Sequence, residues 1–277
     1  MMRSVEWARL TAPEIRAVAA KPDAFVVLPV GSLEQHGPHL PTITDTASAS
    51  AVAVRAAELV AGEPPVLVLP GMWTGMSEHH LPFGGTISLD FAEFRGVLRG
   101  IVRSLRAAGF RRLLIVNGHG GNIDPLSVAT RELAHEFAMP VVACTPWFLA
   151  AEQVAAILET AKGPLHACEG ETSLMMAIAP DIVRTDRLDE AMRQAPPPVA
   201  ARPGFSRFWS FSERAPATGT WGDPRPSTAE KGTRFLDVMA QTLVEAMRDP
   251  ALWSQPDDVW APNRGQGTTA GAEPRGA

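Results

Sequence analysis

Four short apolar runs set the tightest limit on how this chain can fold: FVVLPV (Phe25–Val30), VLVL (Val66–Leu69), LLIV (Leu113–Val116) and VVA (Val141–Ala143). They are rich in Val, Leu and Ile and lack clean alternation with polar residues, as expected of strands covered on both faces. Helical patterns lie between them. Residues 46–60 are Ala-rich. In residues 90–108, Phe91, Phe94, Leu98, Ile101, Val102 and Leu105 recur at steps of three and four behind a capping Asp90, and Gly109 follows as a stop. Strand and helix in alternation predict an α/β protein: a three-layer α/β/α sandwich with a mostly parallel sheet. Such sheets bind ligands at the loops leaving the carboxyl ends of their strands.

A chain of 277 residues can bury a sizeable core, and residues 1–260 read as a single domain. A last helix is predicted from Ser227 or Thr228 to Met247. Residues 261–277 hold no core-forming side chains and read as a disordered tail. Between them, residues 195–226 combine many prolines with Phe205, Phe208, Trp209, Phe211 and Trp221, which suits a pocket lid or an interface better than a linker. The net charge of −5 gives no electrostatic case for nucleic acid or an anionic membrane. No apolar run is long enough to span a bilayer, and the amino terminus, broken by Glu6, Arg9, Glu14 and Arg16, does not read as a signal peptide. A cytoplasmic location is the expectation. Cys144 and Cys168 form neither a disulfide framework nor a C-x-x-C pair.

Four loops concentrate the chemistry. In GSLEQHGPHLPTITDT (31–46), Glu34 and His36 are two apart and face the same side of an extended segment, and Asp45 arrives at the start of a helix. Such oxygen and nitrogen donors suit zinc, manganese or iron(II), although Asp45 could equally be a plain N-cap. NGHGGN (117–122) puts His119 at the apex of a glycine loop that lacks the spacing of a phosphate cradle; an ordinary tight turn is the alternative. HACEGETS (166–173) sets His166 beside Glu169 and Glu171, of which either carboxylate could simply favour a helix start. SEHHLPFGGTIS (77–88) offers Ser77, Glu78, His79 and His80 for shaping a pocket, or is a surface loop. Of all the histidines, only His135 falls outside these four loops.

Together these motifs resemble the creatininase family of metal-dependent amidohydrolases, across roughly residues 5–250. The family includes creatinine amidohydrolase, a formamide hydrolase acting on a formylaminopyrimidine nucleotide, and a peptidase that matures a redox-cofactor precursor. The resemblance implies a centre of two divalent ions (Zn, Mn or Fe(II)). Glu34 and His119 would hold one ion, His36 the other, with Asp45 bridging. Creatinine-hydrolysing members take their last ligand from a glutamate at the place of Gly121, so this chain needs a substitute. Glu169 is expected to supply it, with Glu171 orienting His166 or a bound water.

Two such ions bring the pKa of a shared water to roughly 7. His166 is the expected acid for the leaving nitrogen. Backbone N–H groups of Gly120 and Gly121 could receive the developing oxyanion. Ser77, Glu78, His79 and Trp147 are expected at the substrate, and His39 in a structural or pocket-lining place. Cys168 stands where the family has glycine and reads as a neutral buried residue. The expected reaction is hydrolysis of a non-peptide C–N bond in a small-molecule amide, either cyclic or a formamide. A peptide substrate and a non-catalytic binding protein are the rival readings. The family also implies a homo-oligomer, commonly a hexamer.

Overall fold

The computed structural model describes residues 4–192, 208, 210–215 and 217–259. The apolar runs become β1 (Phe25–Val30), β2 (Val66–Val68), β3 (Leu113–Asn117) and β4 (Val141–Cys144), an all-parallel sheet in the order β2-β1-β3-β4. β1 occupies the interior, pairing Phe25 with Val66 on one side and Val26 with Leu113 on the other. The longer helices are α1 (Ala12–Ala19), α2 (Thr44–Leu59), α3 (Phe91–Ala107), α4 (Ile123–Phe137), α5 (Glu169–Ile178) and α6 (Ala229–Arg248).

Alternate residues of the strands feed two separate cores. Phe25, Val27, Leu114 and Val116 pack with α2, α5 and α6, whereas Val26, Leu28, Leu113 and Ile115 pack with α1, α3 and α4. Covering both faces is what an unbroken apolar strand demands, and it makes the protein a three-layer α/β/α sandwich. On α3 the predicted face carries the packing: Phe94, Leu98, Val102 and Leu105 are buried, each contributing roughly 1.5–3 kcal/mol. Asp90 caps this helix by accepting from Glu93 N at 2.8 Å, and Glu93 Oε2 accepts from Asp90 N at 3.0 Å. Thr228 caps α6 through Lys231 N at 3.1 Å.

One boundary matters for function. Helix α2 starts at Thr44 rather than Thr46, so Asp45 lies inside its first turn, and the cap position, Ile43, makes no side-chain hydrogen bond. Thr44 Oγ1 donates to Pro41 O at 2.7 Å and steadies the entry. The Asp45 carboxylate is thereby released from capping. Among the described residues, no helix is long and apolar enough to cross a membrane. Phe205 and Trp209 of the aromatic stretch, and the 261–277 tail, lie outside the described residues.

Candidate active site

The loops after β1 and β3 meet at the carboxyl edge of the sheet. Two asparagines brace them. Asn117 Nδ2 donates to His119 O at 2.8 Å and to Thr145 Oγ1 at 3.0 Å, while its Oδ1 accepts from His119 N at 3.1 Å. Asn122 Nδ2 donates to Gly31 O at 3.0 Å, and its Oδ1 accepts from Met76 N at 2.9 Å. Gly118 permits the close approach to α2, because a Cβ there would sit 2.3 Å from Asp45 O. The glycines and asparagines of NGHGGN therefore press His119 against Asp45.

Asp45 is the hinge of the side-chain cluster. Its Oδ1 lies 3.1 Å from His36 Nε2, and its Oδ2 lies 3.1 Å from His119 Nδ1. His119 Nδ1 is also 3.1 Å from Glu34 Oε2, and Glu171 Oε2 is 3.7 Å from His36 Nε2. Donor atoms of His36, Asp45 and Glu171 all fall within 4.8 Å of one another. The tautomers are set from behind. His36 Nδ1 donates to Glu34 O at 3.1 Å and His119 Nε2 to Met76 O at 3.1 Å, leaving the other nitrogens turned inward.

The electrostatics are those of a site built for cations. Glu34, Asp45 and Glu171 converge here, and among the described residues none of them is paired with a lysine or arginine. Both oxygens of Glu34 and Oδ2 of Asp45 are buried and accept no hydrogen bond, a costly state unless a positive charge faces them. Burial opposes charge on His36, yet Asp45, with Glu171 and Glu34, outweighs it and pushes the imidazole up to about 10. His119 is raised for the same reason, against burial, by Glu34 and Asp45. Burial would raise Asp45 too, but His36 and His119 drive it far below the usual carboxylate range. Burial pushes Glu171 up to about 7, with His36 pulling against it and Asp45 adding to it. Protons on these two imidazoles stand where cations would.

Glu169 does not belong to this cluster, contrary to expectation. Its carboxylate accepts from Glu159 N, Thr160 N and Thr160 Oγ1 at 3.0, 2.9 and 2.7 Å and from Lys231 Nζ at 2.7 Å. Each residue of a helix turns about 100° around the axis, so two residues separate the carboxylates onto nearly opposite sides of α5. Glu171 faces Asp45; Glu169 faces α6. A glutamate at position 121 is also barred here, because a Cβ on Gly121 would lie 2.4 Å from His119 Nε2 and 2.5 Å from Met76 O.

Beside the cluster opens a cavity of about 490 Å³, lined in part by Glu78, His79, Gly120, Gly121, Trp147 and His166. The volume is in the range of small-molecule sites. Ser77, expected at the substrate, is instead fully buried behind His119, with its Oγ 3.2 Å from His119 Nε2 and in contact with Ser32 Oγ. Phe208, Phe211 and Trp221 of the aromatic stretch also line the cavity, so its described part serves the pocket. His166 Nε2 donates to Gln35 O at 2.9 Å, and its Nδ1 faces Glu34 Oε1 at 3.6 Å. Burial, then His36 and His80, holds His166 well below its ordinary value. His39 bonds to Thr172 Oγ1 at 2.9 Å, in a structural place. Cys168 is buried, its Sγ 3.6 Å from Asp223 O.

Two residues do more than the sequence showed: His80 read only as part of a pocket-shaping loop, and Gln35 gave no signal. His80 is buried with Nε2 3.2 Å from Glu34 Oε1 and stacks on Phe211, the ring centroids 4.4 Å apart. Gln35 reaches His80 Nδ1 at 2.9 Å and donates to Gly219 O at 3.1 Å, tying the aromatic segment to the first loop. His80 is the second histidine of a loop read for pocket shaping, and nothing in the spacing points to its contact with Glu34. Gln35 sits between two candidate ligands.

The family model described as creatinine amidohydrolase (creatininase) matches residues 8–247. The chain belongs to the creatininase family. It is 33% identical over 267 residues to a creatinine amidohydrolase of Pseudomonas putida, covering 90% of this chain and 98% of that one. It is 36% identical over 244 residues to a mycofactocin precursor peptide peptidase of Mycobacterium tuberculosis, covering 84% and 88%. A solved manganese form of creatininase superimposes with a TM-score of 0.73 at 33% identity, covering 89% of this chain and 98% of that chain. A Zn–Zn form of a creatininase mutant has a TM-score of 0.72 with the same coverage. Membership of this family of hydrolases fits the donor set on Asp45, and divalent cations are the group that set accommodates. In this chain Glu34, His36, Asp45 and His119 lie together with Glu171 from α5.

Proposed function

We propose that this protein hydrolyses the C–N bond of a small-molecule amide, cyclic or formamide-like, with two divalent cations. Glu34, Asp45 and His119 would hold one, and His36, Asp45 and Glu171 the other. The observation that carries the reading is the division of Asp45, whose two oxygens face His36 and His119 at 3.1 Å each, amid buried carboxylate oxygens that accept no hydrogen bond. When bound, such a pair of ions acidifies water and polarises a carbonyl.

The remaining work falls to the chain. His166 keeps its proton on Nε2 through Gln35 O, so Nδ1 faces Glu34 and is free to take a proton and return it to the departing nitrogen. Gly120 and Gly121 leave the floor of the cavity open at backbone level, where N–H groups can meet negative charge on the carbonyl oxygen. Phe211 and Trp221 enclose the substrate side and exclude water.

A peptide reading is favoured by the relatives named as precursor peptide peptidases. The two separate on one panel. The purified protein is analysed for Zn, Mn and Fe, then assayed against cyclic amides, formamides and short peptides. Turnover of the first two classes is expected. Turnover of peptides alone would overturn the non-peptide assignment, and a metal-loaded protein inert on every member would favour a binding role.

A further inference from the structure

His79 has no part in the chemistry above, yet it stands at the cluster. A ring nitrogen of His79, a ring nitrogen of His119 and a carboxylate oxygen of Glu34 all lie within 4.8 Å of one another. An ion with ligand distances of about 2.0–2.2 Å spans donors up to about 4.4 Å apart, so a small rotamer change would bring all three onto one ion. The His79 ring lies nearly parallel to His119, the planes 12° apart and the centroids 5.5 Å apart.

Gly121 supplies an independent observation. A Cβ at that position would meet His119 Nε2 at 2.4 Å and His79 Cε1 at 2.7 Å. Of the three glycines of NGHGGN, only Gly121 is set against both rings, and it is held without a side chain. The site lacks a carboxylate there and has a histidine in the same space.

We propose that His79 is a further protein ligand of the ion held by Glu34, Asp45 and His119. This rests on the two-cation reading above and adds an asymmetry to it. One ion has four protein donors and is closed; the other, on His36, Asp45 and Glu171, has three and keeps a position for water or substrate. Closed four-donor sites are those of firmly held zinc, and three-donor sites are those that react. The two ions therefore bind with unequal strength, and the open one exchanges first.

Metal binding without turnover tests this. Chelator-stripped protein is titrated with Zn²⁺ against a competing indicator, and with Co²⁺ for its visible absorption. The wild type is expected to bind in two steps, the first giving the intense absorption of four-coordinate cobalt. His79→Ala should weaken the tighter step by at least about tenfold and leave the weaker one unchanged. His79→Gln, which keeps most of the packing, should do the same with an unaltered circular dichroism spectrum. His36→Ala should abolish only the weaker step. Two unchanged steps in both His79 variants, or loss of the weaker step instead, would overturn the role of His79. A wild type that binds no ion would overturn the two-cation reading itself, a separate and recognisable result.

Discussion

Glu169 and Glu171 are two residues apart at the start of one helix, and the fold gives them opposite work. Glu169 is fully buried and satisfied: a lysine, a hydroxyl and backbone N–H groups of residues 159 and 160 surround its carboxylate. Glu171 accepts one hydrogen bond, from Ala167 N at 2.6 Å, and otherwise faces His36 and Asp45. Ala167 holds a positive φ of 52°, which aims that N–H back at Glu171. A carboxylate with its own cation fastens α5 to α6. A carboxylate among other carboxylates needs a cation supplied from outside.

The largest effect expected at the Glu171 end of this contrast is that of Asp45→Ala. It should empty both cation positions and bring turnover to background, read by metal analysis beside a steady-state assay. Retention of one ion would show that Asp45 does not serve both. Next, Glu171→Gln should lower metal stoichiometry and turnover while the folded protein withstands heat as before. Its counterpart, Glu169→Ala, should keep stoichiometry and cost about 1–3 kcal/mol of stability in urea unfolding, because the amides of Glu159 and Thr160 and the Thr160 hydroxyl lose their acceptor while Lys231 keeps Glu159. If the two variants exchanged these phenotypes, the division of labour on α5 would be wrong. His166→Ala should keep both ions and lower kcat by about 10²–10⁴; an emptied site would make His166 a ligand instead.

The smallest effect is a pH dependence. Burial tends to raise the Glu169 carboxyl, but Lys231 and Thr160 outweigh it and hold it below its ordinary value. A group lowered on folding stabilises above its unfolded pKa and loses that contribution as the pH falls through its folded one. Unfolding free energy should therefore drop in acid more steeply for the wild type than for Glu169→Gln, and equal slopes would remove Glu169 from the account of acid stability.

The layers of the fold were legible because apolar content and period are local properties. The four strands start where the runs start, and the Phe94–Leu105 face of α3 packs as its spacing predicts. Much of the cluster was legible too, since Glu34, His36 and His119 lie in loops at the carboxyl ends of predicted strands and Asp45 at the start of the helix that follows the first of them, and their residue types suit one chemistry. Ser77 misled because its burial depends on Ser32 and His119, which are remote in sequence. Gln35 was silent and His80 read only as a pocket-loop histidine, since their contacts exist only through Glu34, Phe211 and Gly219.

The sequence by itself determined a parallel α/β sandwich and the loops in which a metal-dependent hydrolase of the creatininase family would carry its donors. Only the tertiary structure decided which glutamate of α5 joins Asp45, and that His79 shares the space left by Gly121. Spacing tells that two side chains point apart on a helix. It does not tell which side the ion pair with Lys231 will claim, because that partner arrives from another helix.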